Sequence, residues 1–79
     1  MKLKKVEVIW VDSTSIKGWW NADGIKSMEI MHINTLGYLF SKDKEKITLV
    51  MSHDWDRGEV AYGEPFLIPR GCIKEIRLI

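Results

Sequence analysis

The sequence predicts a single, small, all-β domain of five or six short strands, arranged as a barrel or a sandwich. Its 79 residues are the length of one domain, spanning residues 1–79. Short apolar runs rich in β-branched residues alternate with clusters of turn-forming residues. No segment has the sustained periodicity of a long helix, so one short helical turn is the most that we expect.

Two strands and a loop are predicted in the first half. Residues 5–11 alternate in part and are rich in β-branched side chains, which favours a mostly buried strand with Trp10 in the core. Residues 12–24 are rich in turn formers and predict a loop. Residues 25–32 fit either one helical turn or extended chain. Residues 32–40 predict the second strand.

Particular residues of this second strand carry further expectations. Gly37 indicates a bulge or a sharp bend. His32 lies in an apolar strand, so we expect a core or interface histidine. The charged residues 41–46 predict a hairpin turn that also protects the hairpin against edge pairing. Residues 47–51 then form its partner strand.

The remainder of the chain predicts a loop, an edge strand and a closing strand. Residues 54–64 form a second long polar loop. Residues 65–69 are flanked by prolines, so this short strand is expected near an edge. Residues 70–72 predict a tight turn, and residues 74–79 predict the last strand.

Charge and cysteine content limit the classes of protein. Twelve basic against eleven acidic residues give a net charge of +1, without a basic tract, which disfavours nucleic-acid binding. Cys72 is the only cysteine, which indicates a reducing compartment. Glu7 interrupts the apolar N-terminal run, so it does not read as a signal peptide. No run approaches the ~20 apolar residues of a membrane span, and we expect a soluble cytoplasmic protein.

The apolar content exceeds what so small an interior holds. Hydrophobic residues make up 46% of the chain, and four are tryptophans. A domain of this size buries only ~60% of the surface that its unfolded chain exposes. We therefore expect apolar side chains at a ligand or partner surface, and a homo-oligomer that extends a sheet across subunits.

The two long loops hold the candidate binding residues. Loop aromatics stack on a nucleobase or bury against a protein, and a nearby cation binds a phosphate. Serine and threonine hydroxyls at residues 13–15 are additional donors. The predicted ligand-binding residues are Lys17, Trp19, Trp20, Trp55, Arg57, Tyr62 and Arg70.

These loop tryptophans have a competing interpretation, in which they fold back to close the open ends of the core. Trp19 and Trp20 are neighbours, and neighbours in extended chain point to opposite sides, so both rarely bury in one core. Trp55 is equally open between the two interpretations.

Catalysis and metal binding are less well supported. The stretch 52–64 offers His53, Asp54 and Asp56 as ligands, but its likeness to a calcium loop fails because Gly58 comes one position early. A polar loop whose aspartates bond their own backbone explains it as well, so we expect no metal and no cofactor. Cys72 has no assignable base, and no phosphate-binding glycine loop is present, so we expect a non-catalytic protein.

Residues 6–13, 18–20, 33–40 and 68–79 carry a resemblance that covers most of the chain. In this order they are similar to small phage and prophage-type proteins. The closing stretch IPRGCIKEI resembles the last turn and strand of SH3-like or Sm-like barrels. The resemblance implies a small SH3-like or Sm-like barrel, and Sm-like barrels commonly assemble into rings.

By analogy of size and setting, the resemblance also implies a phage anti-defence protein. Such a sponge would sequester a small nucleotide signal, such as a cyclic dinucleotide, in the host cytoplasm without destroying it. The alternatives are an adaptor or inhibitor that uses the aromatic loops against a protein, and an Sm-like single-stranded nucleic-acid binder, which the near-neutral charge disfavours. A metal-dependent hydrolase ranks last.

Overall fold

The computed structural model describes residues 3–54 and 61–79, which are built mainly from antiparallel strands. The strands in this part are β1 (Lys4–Asp12), β2 (Met31–Lys42), β3 (Lys46–Val50), β4 (Ser52–His53), β5 (Tyr62–Gly63), β6 (Phe66–Pro69) and β7 (Ile73–Leu78). The helical elements are α1 (Ala22–Lys26) and a 3₁₀ turn (Arg70–Cys72). The predicted β character is therefore confirmed, and the 3₁₀ turn lies at the predicted tight turn. The predicted numbers are too low, since the described part has seven strands instead of five or six and two short helical elements instead of one.

Five of the strands form one sheet in the order β6-β3-β2-β1-β7, with antiparallel pairing throughout. β4 and β5 form a separate two-stranded sheet. β6 lies at one edge of the larger sheet, as the prolines Pro65 and Pro69 predict, because proline supplies no backbone N–H to a neighbouring strand. β7 forms the other edge.

The core lies on one face of the five-stranded sheet. Every second residue of β1 points into it, ending with Trp10, which is only 7% exposed and confirms the prediction for this residue. The indole N–H of Trp10 donates a hydrogen bond of 2.9 Å to Thr35 Oγ1, so its buried polar atom is satisfied. The buried cluster consists of Val6, Val8, Trp10, Ile47, Leu49 and Ile68.

The five-stranded sheet curls around this core. The ring centroids of Trp10 on β1 and Phe66 on β6 are 5.9 Å apart, although β2 and β3 separate the two strands. In a flat sheet, three strand spacings would hold these positions roughly 14 Å apart. The two rings meet because the sheet folds its concave face over the apolar cluster.

The bulge in β2 lies at Phe40, where the register with β3 shifts. Of the two alternatives for Gly37, the bulge is wrong, since Gly37 pairs in register with Val6, and the sharp bend stays a prediction. A Cβ atom at Gly37 would stand 3.3 Å from Leu49 Cβ, so the glycine leaves room for the core side chain of the next strand.

The turn between β2 and β3 is shorter than predicted. Residues 41, 42 and 46 belong to the strands, which leaves residues 43–45 as the turn. The carboxylate of Asp43 accepts hydrogen bonds from the backbone N–H groups of Glu45 and Lys46, at 2.8 and 2.9 Å. The Asp43 side chain thus stabilises the turn by bonding to the backbone two and three residues further along the chain.

His32 is exposed, so the expectation of a core histidine is wrong. Successive residues of β2 face opposite sides of the sheet, and it is the neighbouring Ile33 that packs against the core. The alternative, that His32 lies at an interface, stays a prediction.

Residues 13–30 leave the sheet between β1 and β2, and we call this segment the arm. Apart from Gly24 and Met28, its residues are exposed. The radius of gyration is 16.8 Å, whereas a compact chain of this length has about 12 Å. The long dimension is 58 Å against 23 and 22 Å for the other two, as a projecting segment requires.

None of the helices in the described residues is long and apolar enough to cross a membrane.

Candidate functional site

Trp19 and Trp20, at the middle of the arm, are both outside the core. Trp19 is fully exposed, and Trp20 is 54% exposed. Their predicted position in a loop is confirmed, and the competing interpretation, that they close the ends of the core, is wrong for both. Two adjacent indoles thus remain at the surface of the described structure.

Trp20 is held in place by the chain around it. Its indole N–H donates a hydrogen bond of 2.8 Å to the carbonyl oxygen of Lys17. Gly18 permits this turn because its φ of 91° is a conformation that other residues rarely adopt. Gly24 packs against the ring of Trp20, since a Cβ atom added at Gly24 would stand 3.2 Å from Trp20 Cε3.

The short helix α1 completes this local structure. Asn21 caps its N-terminus, with the side-chain oxygen accepting from the backbone N–H of Gly24 at 2.7 Å. The carbonyl of Asn21 accepts from the N–H of Ile25 at 3.1 Å, and the hydroxyl of Ser27 donates to the carbonyl of Gly24 at 2.9 Å. The tryptophan pair is therefore mounted on an ordered turn and helix.

This arrangement gives the two tryptophans different roles. The indole N–H of Trp20 is hydrogen-bonded to Lys17, and one part of its ring packs against Gly24. The side chain of Trp19, in contrast, is fully exposed to solvent. A rigid, amphipathic indole of this kind loses little conformational entropy when a partner covers it. The exposed large apolar residues of the arm are Ile16, Trp19, Trp20, Ile25 and Ile30.

Tyr62 does not join this group. It lies in β5, and not in a loop as predicted, with its ring 4.7 Å from that of Phe40. The β4–β5 sheet sits beside Tyr38, whose ring is 4.6 Å from that of His53. Tyr38 pairs with Lys5, seven residues from the root of the arm at Asp12, or roughly 23 Å along the strand. Tyr62 and the start of the arm therefore lie toward opposite ends of β1.

Arg70 lies beside the turn between β2 and β3. It opens the 3₁₀ turn, and its backbone N–H donates to the carbonyl of Glu45 at 2.8 Å. Ile73, directly after this turn, pairs with Trp10, three residues before the arm begins. Of the predicted cations with described positions, Lys17 is on the arm, whereas Arg70 contacts the turn between β2 and β3.

Trp55 and Arg57, and the candidate metal ligand Asp56, lie outside the described residues. Within residues 3–54 and 61–79, no group of three or more histidine, cysteine or acidic side chains is arranged to hold a metal ion. Cys72 is half-buried and packs against the core cluster, as expected for a small core residue.

Sequence reasoning missed the aromatic residues Tyr38 and Phe40. They pack edge to face against His53 and Tyr62, and this group lies beside Val50, which is buried although it is on the face of the sheet opposite the main core. The signal was present as two aromatics at alternate positions of one predicted strand. A cleft of about 260 Å³ lies nearby and includes Leu36, Val50, Met51, Pro65 and Phe66 in its lining.

No family model matches the sequence, and neither a curated protein nor a solved structure matches it. The function of the arm is therefore inferred from its own residues.

Proposed function

We propose that the protein is a non-catalytic binding module, an SH3-like or Sm-like barrel that grips another protein with Trp19. The observation that carries this proposal is the contrast within the arm. Trp20 is fastened to Lys17 and Gly24, and its neighbour Trp19 is fully exposed on the same ordered turn.

Three features of the main sheet support the barrel. β7 returns to pair with β1 after a 3₁₀ turn, as in the closing element of the barrels that the sequence resembles. The contact between Trp10 and Phe66 brings together strands that lie three positions apart. Bulges in the β2–β3 and β1–β7 pairings supply the bending that a small barrel needs.

The shape of the arm favours a protein partner over a small ligand. Small ligands are held in concave pockets that cover most of their surface. Trp19 instead projects from the molecule, with exposed isoleucines such as Ile16 and Ile25 on the same segment. An aromatic anchor of this kind fits a pocket on the partner, and tryptophan is the residue type most enriched among binding hot spots.

Affinity capture with immobilised protein tests this function. Wild-type protein and the Trp19→Ala variant are incubated with lysate of the source cells, and retained proteins are identified by mass spectrometry. Leu36→Ala is the control, because it removes an exposed apolar side chain from the sheet. We expect a protein that wild type and Leu36→Ala retain and Trp19→Ala loses. Identical retention by all three would contradict the proposal.

A second candidate is the sequestration of a small nucleotide, such as a cyclic dinucleotide of host antiviral defence. It is favoured by Lys17, which precedes Trp19 by two residues on the same turn, so a stacked base and a bound phosphate would lie close together. Isothermal titration with cyclic dinucleotides tests it. Heat that disappears in both Trp19→Ala and Lys17→Gln would establish it, and no heat with wild type would remove it.

A further inference from the structure

The outer edge of β7 has no neighbouring strand in the described part of the chain. The N–H of Ile79 donates to the carbonyl of Lys5 at 3.0 Å, which fixes the direction of the backbone groups along β7. Because these directions alternate in an antiparallel pair, Glu75 and Arg77 also face β1 with their backbone groups. Along the regular part of β7, the outward-facing N–H and C=O groups are those of Ile76 and Leu78.

The side chains of β7 carry opposite charges two positions apart on one face. Arg77 Nε lies 2.8 Å from Glu75 Oε2, and Arg77 also lies 3.5 Å from Glu7 on β1. On the chain's last two residues, the apolar side chains of Leu78 and Ile79 are 70% and 71% exposed. This edge thus combines free backbone groups, paired charges and uncovered apolar surface.

The other edge of the sheet differs. β6 is four residues long and ends at Pro69, with Pro65 directly before it. Proline has no N–H to offer, so this edge resists the addition of a strand. β7 is longer and contains no proline.

We propose that two copies of the chain pair antiparallel along β7, with the twofold axis at Ile76. In this register, Glu75 of each copy lies opposite Arg77 of the other. The occupant of the edge is a second copy because the charge pattern is complementary to itself, as an isologous interface requires. This inference is independent of the function of the arm.

The backbone and the charges select the same register. Ile76 opposite Ile76 places outward-facing N–H and C=O groups against each other for hydrogen bonding. Glu75 and Arg77 then form the non-hydrogen-bonded pairs, whose side chains approach most closely. Moving the axis to Glu75 or Arg77 sets like charges opposite each other. Moving the axis to a point between two residues would place backbone N–H and C=O groups that already bond to β1 opposite the other copy, where they cannot form hydrogen bonds.

Charged residues and a bulge on an edge strand also serve to prevent pairing. β7 has both, since its register with β1 shifts between Glu75 and Ile73. A purely protective edge has no need of charges that complement themselves across a twofold axis. The choice between these two roles is decided by the state of the protein in solution.

Sedimentation equilibrium over a range of concentrations up to about 1 mM, the weak end of specific association, measures the dimer. Glu75→Lys places lysine opposite arginine, and Arg77→Glu places two glutamates opposite each other. We expect each variant alone to raise the dimer Kd by about tenfold or more, because two attractive pairs become repulsive. Mixed in equal amounts, the two variants restore opposite charges at both positions and form a heterodimer.

Glu45→Lys is the matched control, since it makes the same charge change in the turn between β2 and β3 and leaves the dimer intact. Thermal unfolding verifies that each variant is folded, which matters for Arg77→Glu because of its contact with Glu7. Amide exchange gives a second readout, with the N–H of Ile76 protected in the dimer and open in the monomer. A wild-type monomer throughout, or a dimer that Glu75→Lys leaves unchanged, would overturn the proposal.

Discussion

The indole N–H of Trp20 donates a hydrogen bond of 2.8 Å to the carbonyl oxygen of Lys17, three residues earlier. This bond closes the turn that exposes the intervening Trp19. The contact lies entirely within the arm, away from the buried cluster of the sheet. The order of the arm and the stability of the sheet are therefore expected to respond to different substitutions.

Trp20→Phe removes this hydrogen bond and keeps an aromatic ring. We expect the free energy of unfolding to change by no more than about 0.5 kcal/mol, because the residue is outside the core. The amides of Gly24 and Ile25 should exchange faster, since the turn against α1 loosens. Hydrogen exchange resolved by residue measures this. Asn21→Ala, which removes the helix cap directly, is the positive control. A large fall in global stability with Trp20→Phe would show that the arm and the sheet are not independent of each other.

Thr35→Val tests the polar contact of the buried tryptophan. The variant keeps the shape of the side chain but leaves the indole N–H of Trp10 without its acceptor. We expect a loss of about 1–3 kcal/mol, which is the cost of an unsatisfied buried donor. Denaturant unfolding measures it. Thr48→Val, on the opposite face of the sheet, should change stability by less than about 0.5 kcal/mol, and equal effects of the two substitutions would refute the assignment.

Gly37→Ala tests the reason for the glycine in β2. An added Cβ would stand 3.3 Å from Leu49 Cβ and 3.4 Å from the carbonyl oxygen of Val50. We expect overpacking to cost about 1–3 kcal/mol. Gly71→Ala is the matched control, because nothing lies within 4 Å of its added Cβ, and it should be neutral or slightly stabilising. An unchanged free energy of unfolding in Gly37→Ala would contradict this, because it would show that β2 and β3 accommodate the added methyl group without cost.

The turn between β2 and β3 should make stability depend on acid pH. Hydrogen bonds from the backbone N–H groups of Lys46 and Glu45 lower the pKa of Asp43 below its ordinary value of 3.8. A carboxylate whose pKa is lowered by folding stabilises the protein above its unfolded pKa and loses that effect as the pH falls through the folded pKa.

Asp43→Ala should therefore be less stable than wild type near neutral pH, and the difference should close as the pH falls below 3.8 and through the lowered pKa of Asp43. Thermal unfolding at several pH values measures this. Asp23→Ala removes a carboxylate from the arm and is the control. A difference that persists unchanged into strong acid would contradict the role of the charged carboxylate.

The strands could be predicted because their signals are local. Alternation in β1 placed Trp10 in the core, and the flanking prolines placed β6 at an edge. The role of Gly37 could not be predicted, since it depends on Leu49 in a neighbouring strand. The exposure of His32 also depends on which face of β2 the rest of the sheet covers.

The candidate site was predictable in part for the same reason. Loop composition identified Trp19 and Trp20 as candidates. Only the structure shows that the indole of Trp20 is hydrogen-bonded to Lys17, which distinguishes it from the exposed indole of Trp19. Tyr62 was grouped with them because it falls within the second predicted loop. Its distance from the arm arises from the pairing of β1 with β2, which no local pattern encodes.

The role of Trp19 as the binding anchor is best examined by titration calorimetry of the captured protein with wild type and with Trp19→Ala. We expect binding at least about 30-fold weaker for the variant, the effect of losing a hot spot of about 2 kcal/mol, with an unchanged Tm. Equal affinity for the two proteins would contradict it, because the exposed indole would then contribute nothing to recognition.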